Sequence, residues 1–104
     1  MTSLKVLISV NKSKVPWDEL MEQCRKTAPS INEAMGDSME WKIWIENKEE
    51  GLIGGVYYFE DEEEFKKRSV EGKAKDRLPT LIENIYSQVF DVNVDLSRVN
   101  KAPI

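Results

Sequence analysis

Leu4, Val6, Ile8 and Val10 alternate with Lys5, Leu7, Ser9 and Asn11, so the opening of the chain has two distinct faces. Its β-branched content and its period of two predict a first strand. From Val15 the period becomes helical. Trp17, Leu20, Met21, Cys24, Ala28 and Ile31 form one stripe, separated mostly by charged and amide residues. Ser13 is placed to cap this helix, Pro16 suits its first turn, and Asp18 and Glu19 complement its dipole. Pro29 lacks an N–H and is expected to end or kink the helix near Ala28.

Gly36-Asp37-Ser38 marks a turn, and alternation returns from Met39 to Glu46, with Trp41, Ile43 and Ile45 opposite Lys42, Trp44 and Glu46. The polar run Asn47 to Gly51 predicts a hairpin loop, and Leu52 to Phe59 the third strand. Inside that strand Gly54 and Gly55 are adjacent, which marks a bulge or a close approach of backbone or ligand. Asp61, with Glu64 three residues on, opens a second helix as a capping box, and this accounts for the acidic run Glu60 to Glu64. Phe65 is the only large apolar anchor before Val70, and Gly72 weakens the middle, so a short or broken helix with mobile ends is expected. Ile85 to Val92 predicts the fourth strand; the tail from Asp95 to Ile104 fits either a short helix or an extended arm. The order β-α-β-β-α-β predicts an α+β, ferredoxin-like sandwich, with helices on one sheet face. Both faces of the middle strands carry large apolar groups, so the face away from the helices needs cover, and a homodimer supplies it.

A length of 104 residues fits one domain spanning 1–104, and 40% apolar with 33% charged residues fits a folded soluble chain. The net charge of −4 argues against nucleic acid and anionic membranes as partners. There is no histidine, which removes Ser-His and Cys-His nucleophile pairs and His-ligated metals. Cys24 is the one cysteine, so no internal disulfide forms, and it lies on the buried stripe of the first helix. The apolar stretch Val6 to Ser9 is too short for a signal-peptide core or a membrane span, and a cytoplasmic location is expected. The loop after the first strand has neither the paired cysteines of a metal chaperone nor the arginine of a phosphate-cradling loop. Gly55-Val56-Tyr57-Tyr58-Phe59 has some likeness to an RNA-stacking strand. Ile53 stands where that pattern wants a basic residue, however, and the first strand has no aromatic.

Five segments together resemble the YdhR-like monooxygenase family. They are Ser30-Ile31-Asn32, Trp41-Lys42-Ile43-Trp44, Gly54 to Phe59, Val89-Phe90-Asp91-Val92-Asn93, and Leu96-Ser97-Arg98-Val99-Asn100. Their order and spacing fit that family from about Leu4 to Asn100. The resemblance implies a dimeric α/β barrel, in which two sheets pack face to face with helices outside. It also implies a monooxygenase that needs no flavin, haem, metal or other cofactor, and whose substrate is a small phenolic or quinone-like aromatic. In such chemistry the protein binds a flat phenol, promotes its deprotonation and stabilises the anion by hydrogen bonds, and the anion reacts with dioxygen.

On that footing Trp41, Trp44, Tyr57 and Tyr58 are candidates to bind the substrate, with Trp44, Tyr58 and Asn32 as candidate catalytic groups. Packing is the competing role for each aromatic, and helix termination for Asn32. Trp41 shares its face with Ile43 and Ile45, which suits a buried packing surface. Trp44 shares its face with Lys42 and Glu46, which suits the border of a cavity. The alternative function is a non-catalytic dimeric module that binds a small hydrophobic molecule in the same place.

Overall fold

The computed structural model describes residues 4–104. Its elements are β1 (Lys5–Ser13), α1 (Trp17–Met35), β2 (Trp41–Asn47), β3 (Leu52–Phe59), α2 (Glu62–Ala74), β4 (Ile82–Asp91) and α3 (Val94–Val99). The strands form one sheet in the order β2-β3-β1-β4, antiparallel at every pairing. Both crossovers run over the same face, which is the arrangement predicted from the alternation of strand and helix patterns. Among the described residues no helix is long and apolar enough to cross a membrane.

The helix-covered face carries Leu7, Ser9 and Asn11 of β1, Lys42 and Trp44 of β2, and Ile53, Gly55, Tyr57 and Phe59 of β3. Strand register sets this, pairing Leu7 with Tyr57, Lys42 with Tyr57, and Trp44 with Gly55. Two apolar clusters fill the space under the helices. Leu20, Cys24, Ile53 and Leu81 form one, with Trp17 and Trp44 packed against it; Met35, Phe59 and Phe65 form the other, with Ile31, Tyr57 and Val89 around it. Phe65 stacks on Phe59 at 4.1 Å between centroids and meets Tyr57 edge-on at 5.8 Å.

Four local expectations are corrected. α1 does not stop near Pro29 but continues to Met35. The proline lies on the exposed side, where water can serve the carbonyl left free one turn earlier, while Ile31 and Met35 extend the buried stripe. Ser13 does not cap α1. It closes β1, its hydroxyl bonding the Val15 main chain, and Pro16 occupies the cap position. α2 is unbroken: Phe65 anchors it, and Gly72 sits where the two helices touch, with room for only about 3.0 Å between a Cβ there and Ala34 Cβ. Ion pairs Glu62–Lys66 and Glu64–Arg68, each 2.7 Å, support its exposed side, and Asp61 caps it by accepting from the Glu64 N–H at 3.1 Å. β4 begins at Ile82 rather than Ile85, and a break in register between Val10 and Asn11 absorbs the extra residue. The tail resolves into the short helix α3, capped by the Asn93 side chain.

Gly54 and Gly55 answer to close approach. A Cβ on Gly54 would overlap the main-chain oxygen of Ser9 on the neighbouring strand; one on Gly55 would lie 2.7 Å from Lys42 Cε and 2.9 Å from Tyr57 Cε1.

Candidate functional site

A cavity of about 430 Å³ opens between the helices and the covered face of the sheet. β2 and β3 give it an aromatic wall, Trp44 and Tyr57. β1 and β4 give it a polar floor of Ser9, Asn11, Asn84 and Ser87. The floor is knit together: Asn84 Nδ2 donates to Asn11 Oδ1 at 2.9 Å and to Ser87 Oγ at 3.0 Å, while Ser87 Oγ donates to Ser9 Oγ at 3.2 Å. Across the mouth, Asp76 accepts from Thr27 Oγ1 at 2.8 Å and from the Leu78 N–H at 2.7 Å, tying the segment after α2 to α1. The volume suits one drug-sized or smaller molecule, with apolar walls and a few convergent polar groups.

Lys42 reaches into this cavity. Its ammonium sits 3.5 Å from the centroid of the Trp44 ring and 4.5 Å from that of Tyr57, a cation held by two ring faces. Among the described residues no carboxylate lies within ion-pair distance of it. Burial pushes Lys42 down to about 8 from an ordinary 10.5. The same burial pushes the Tyr57 hydroxyl up to about 12, so that it remains a donor at every physiological pH. The Cys24 thiol is also raised by burial, which keeps it inert as a core residue.

The candidates from sequence are thus divided among three places. Trp44 and Tyr57 line the cavity. Asn32, Trp41 and Trp44 border a shallower cleft at the β2 edge, beside the end of α1, where the Asn32 carbonyl accepts the Gly36 N–H. Tyr58 faces the other side of the sheet, stacked on Trp41 at 3.7 Å between centroids, away from the cavity. The row of Trp41, Ile43 and Ile45, whose composition suits a buried packing surface, is not buried in the single chain. It belongs to the face no helix covers, where Ile43 is 47% exposed, Tyr86 44% and Phe90 42%. Of the two strand tryptophans, Trp44 is the one packed against the core. Lys42, Asn84 and the two serines were missed. For Lys42 a signal existed: pairing the hairpin across its loop sets the lysine beside Tyr57 and Trp44 beside a glycine. Among the described residues no group of three His, Cys, Asp or Glu is placed to hold a metal ion.

The family described as "Putative mono-oxygenase ydhR" matches residues 7–103. No curated protein matches the chain in sequence. Several solved structures share its fold. The protein SO0527 from Shewanella oneidensis aligns with a TM-score of 0.64 at 13% identity, over 88% of this chain and 93% of that one. A "putative Antibiotic biosynthesis monooxygenase" from Chloroflexus aurantiacus aligns with a TM-score of 0.62 at 15% identity, over 86% and 93%. A dimeric ferredoxin-like protein from an uncultured marine organism gives a TM-score of 0.61 at 15% identity, over 89% and 97%. The ferredoxin-like fold is common to all of them.

Proposed function

The chain belongs to the ydhR mono-oxygenase family, and from that premise we propose that it oxygenates a small phenolic or quinone-like aromatic with dioxygen and no bound cofactor. The observation that carries this reading is the cavity itself, an aromatic wall of Trp44 and Tyr57 over a hydrogen-bonding floor, sized for one such molecule. With no external reductant, the substrate supplies all four electrons that dioxygen takes up. An activated CH₂ becomes C=O, or a hydroquinone ring C–H becomes C–OH as the ring is oxidised to the quinone. One oxygen atom enters the product and the other leaves as water. The protein's contribution is to bind the flat ring, exclude water and stabilise the electron-rich anion. Tyr57, protonated throughout, and the Trp44 indole N–H are the donors suited to that anion. Tyr58, Trp41 and Asn32 are assigned no direct part in it.

The same reading makes the protein a homodimer. The uncovered sheet face bears Trp41, Ile43, Tyr58, Tyr86 and Phe90, and apolar area of this kind is stabilised by a second copy of itself. The test is oxygen uptake with a panel of anthrones and hydroquinones in chelator-treated buffer, with ¹⁸O₂ to follow one atom into product. Uptake with label incorporation is expected. Ligand binding without uptake would overturn the oxygenase reading in favour of a dimeric binding module.

A further inference from the structure

Lys42 is a cation in an aromatic-walled cavity, and among the described residues no carboxylate lies within ion-pair distance of it. We propose that Lys42 receives the acidic proton of the substrate and then holds the resulting oxyanion, so that the cavity selects aromatic acids of the phenol and enol class. The proposal rests on the oxygenase reading of this cavity and adds the group that ionises the substrate. In the step, the substrate O–H bond breaks, an N–H bond forms on the neutral amine, and a phenolate–ammonium pair remains; no electron moves.

Three features place Lys42 in this role. Its ammonium stands against the rings of Trp44 and Tyr57, where a flat aromatic substrate would enter. Its stem crosses Gly55, and even one methyl group there would come within 2.7 Å of Cε, so the strand is open where the lysine passes. The neighbouring acid is committed elsewhere, since Asp76 accepts from Thr27, Ser30 and the Leu78 main chain. The charged and titratable groups facing Lys42 are Cys24 from α1, Tyr57 from β3, Lys73 near the end of α2 and Asp76 just after it. Burial first, and then Lys73, hold Lys42 down to about 8, while Cys24 opposes them. A neutral amine is therefore populated close to neutrality, and an arriving oxyanion restores the charge with a partner beside it.

The probe is 4-nitrophenol, whose anion is yellow and which is not oxidised by dioxygen; nitrobenzene is the uncharged control. At about pH 6, where free 4-nitrophenol is mostly un-ionised, the wild-type protein is expected to raise the anion band well above that of the free probe, since a neighbouring cation favours the charged form. Lys42→Met should lose the band and bind the probe roughly tenfold to hundredfold more weakly, the worth of one charge-assisted hydrogen bond. Its nitrobenzene affinity should stay within about twofold, as an uncharged ligand gains nothing from the ammonium. An unchanged band in Lys42→Met, or no 4-nitrophenol binding by the wild type, would overturn the proposal. If nitrobenzene binding is also lost, Lys42→Arg decides: an anion band retained with arginine supports the charge role, and its loss overturns it. Oxygen uptake is scored separately. Uptake by Lys42→Met at the wild-type rate sinks the proposal and leaves the oxygenase reading standing; an intact anion band without any uptake does the reverse.

Discussion

Replacing Lys42 with methionine should stabilise the fold, and the size of the gain can be worked from the site. An unfolded lysine ionises at 10.5, whereas in the folded chain burial brings it to about 8. By proton linkage that gap amounts to about 3 kcal/mol of destabilisation at neutral pH. The cation–π contacts to Trp44 and Tyr57 favour the charged form and are already expressed in that folded value. Methionine keeps the stem, follows the same path over Gly55 and retains contact with the indole, so little packing is lost. The expected net gain near pH 7 is therefore about 2–3 kcal/mol. The sign with pH follows from the lowered value. Below about 8 both folded and unfolded chains carry the proton, and the penalty is full. Between about 8 and 10.5 the folded chain sheds the proton first, and the penalty fades. Urea unfolding of wild type and Lys42→Met at several pH values across that window measures the difference directly. A variant less stable than wild type at neutral pH, or a difference that does not shrink toward high pH, would refute the burial argument.

Gly54→Ala should cost several times more stability than Gly55→Ala in thermal melts, because it drives a methyl group into the Ser9 main chain, whereas the other meets only movable side chains. Gly55→Ala should instead displace Lys42 and weaken binding of phenols, which a 4-nitrophenol titration reads. Trp44→Ala should cost about 2–3 kcal/mol, since its ring packs against the Leu20 and Ile53 cluster. Trp41→Ala should leave most chain stability in place and weaken self-association, by the loss of its stack with Tyr58 on the uncovered face. Sedimentation at micromolar concentration should give twice the chain mass for the wild type and once for Ile43→Glu. A wild-type monomer across that range would refute the dimer.

The strands were legible because they alternate cleanly, and β3 falls on Leu52–Phe59, as the pattern predicts. The length of α1 was not legible at Pro29, because the cost of a missing N–H depends on whether that side of the helix faces water, as it does here. α2 was misjudged because its stability comes from Phe59 and Ala34, residues distant in sequence, rather than from its own stripe. The site was half legible. Aromatics on strands announced themselves, but which face the helices would cover is a tertiary fact, and it separates Tyr57 from Tyr58. Lys42 was not legible as a site residue because a lysine on a strand is ordinarily a solvent residue; the nearby Gly55 and the two rings make it otherwise.

Tyr57 and Tyr58 are consecutive and yet point to opposite sides of one sheet, the first into the cavity and the second toward the uncovered face. Each copy in a pair would accordingly own a complete set of reacting groups, with a full layer of backbone between them and its partner. Mixing active chains with chains inactivated at Lys42 should then yield hybrids that keep half the turnover of the parent, neither rescued nor poisoned by the neighbour. On the proposed reading, assembly and chemistry would use alternate positions of the same strand, so a substitution on one face would leave the other in place.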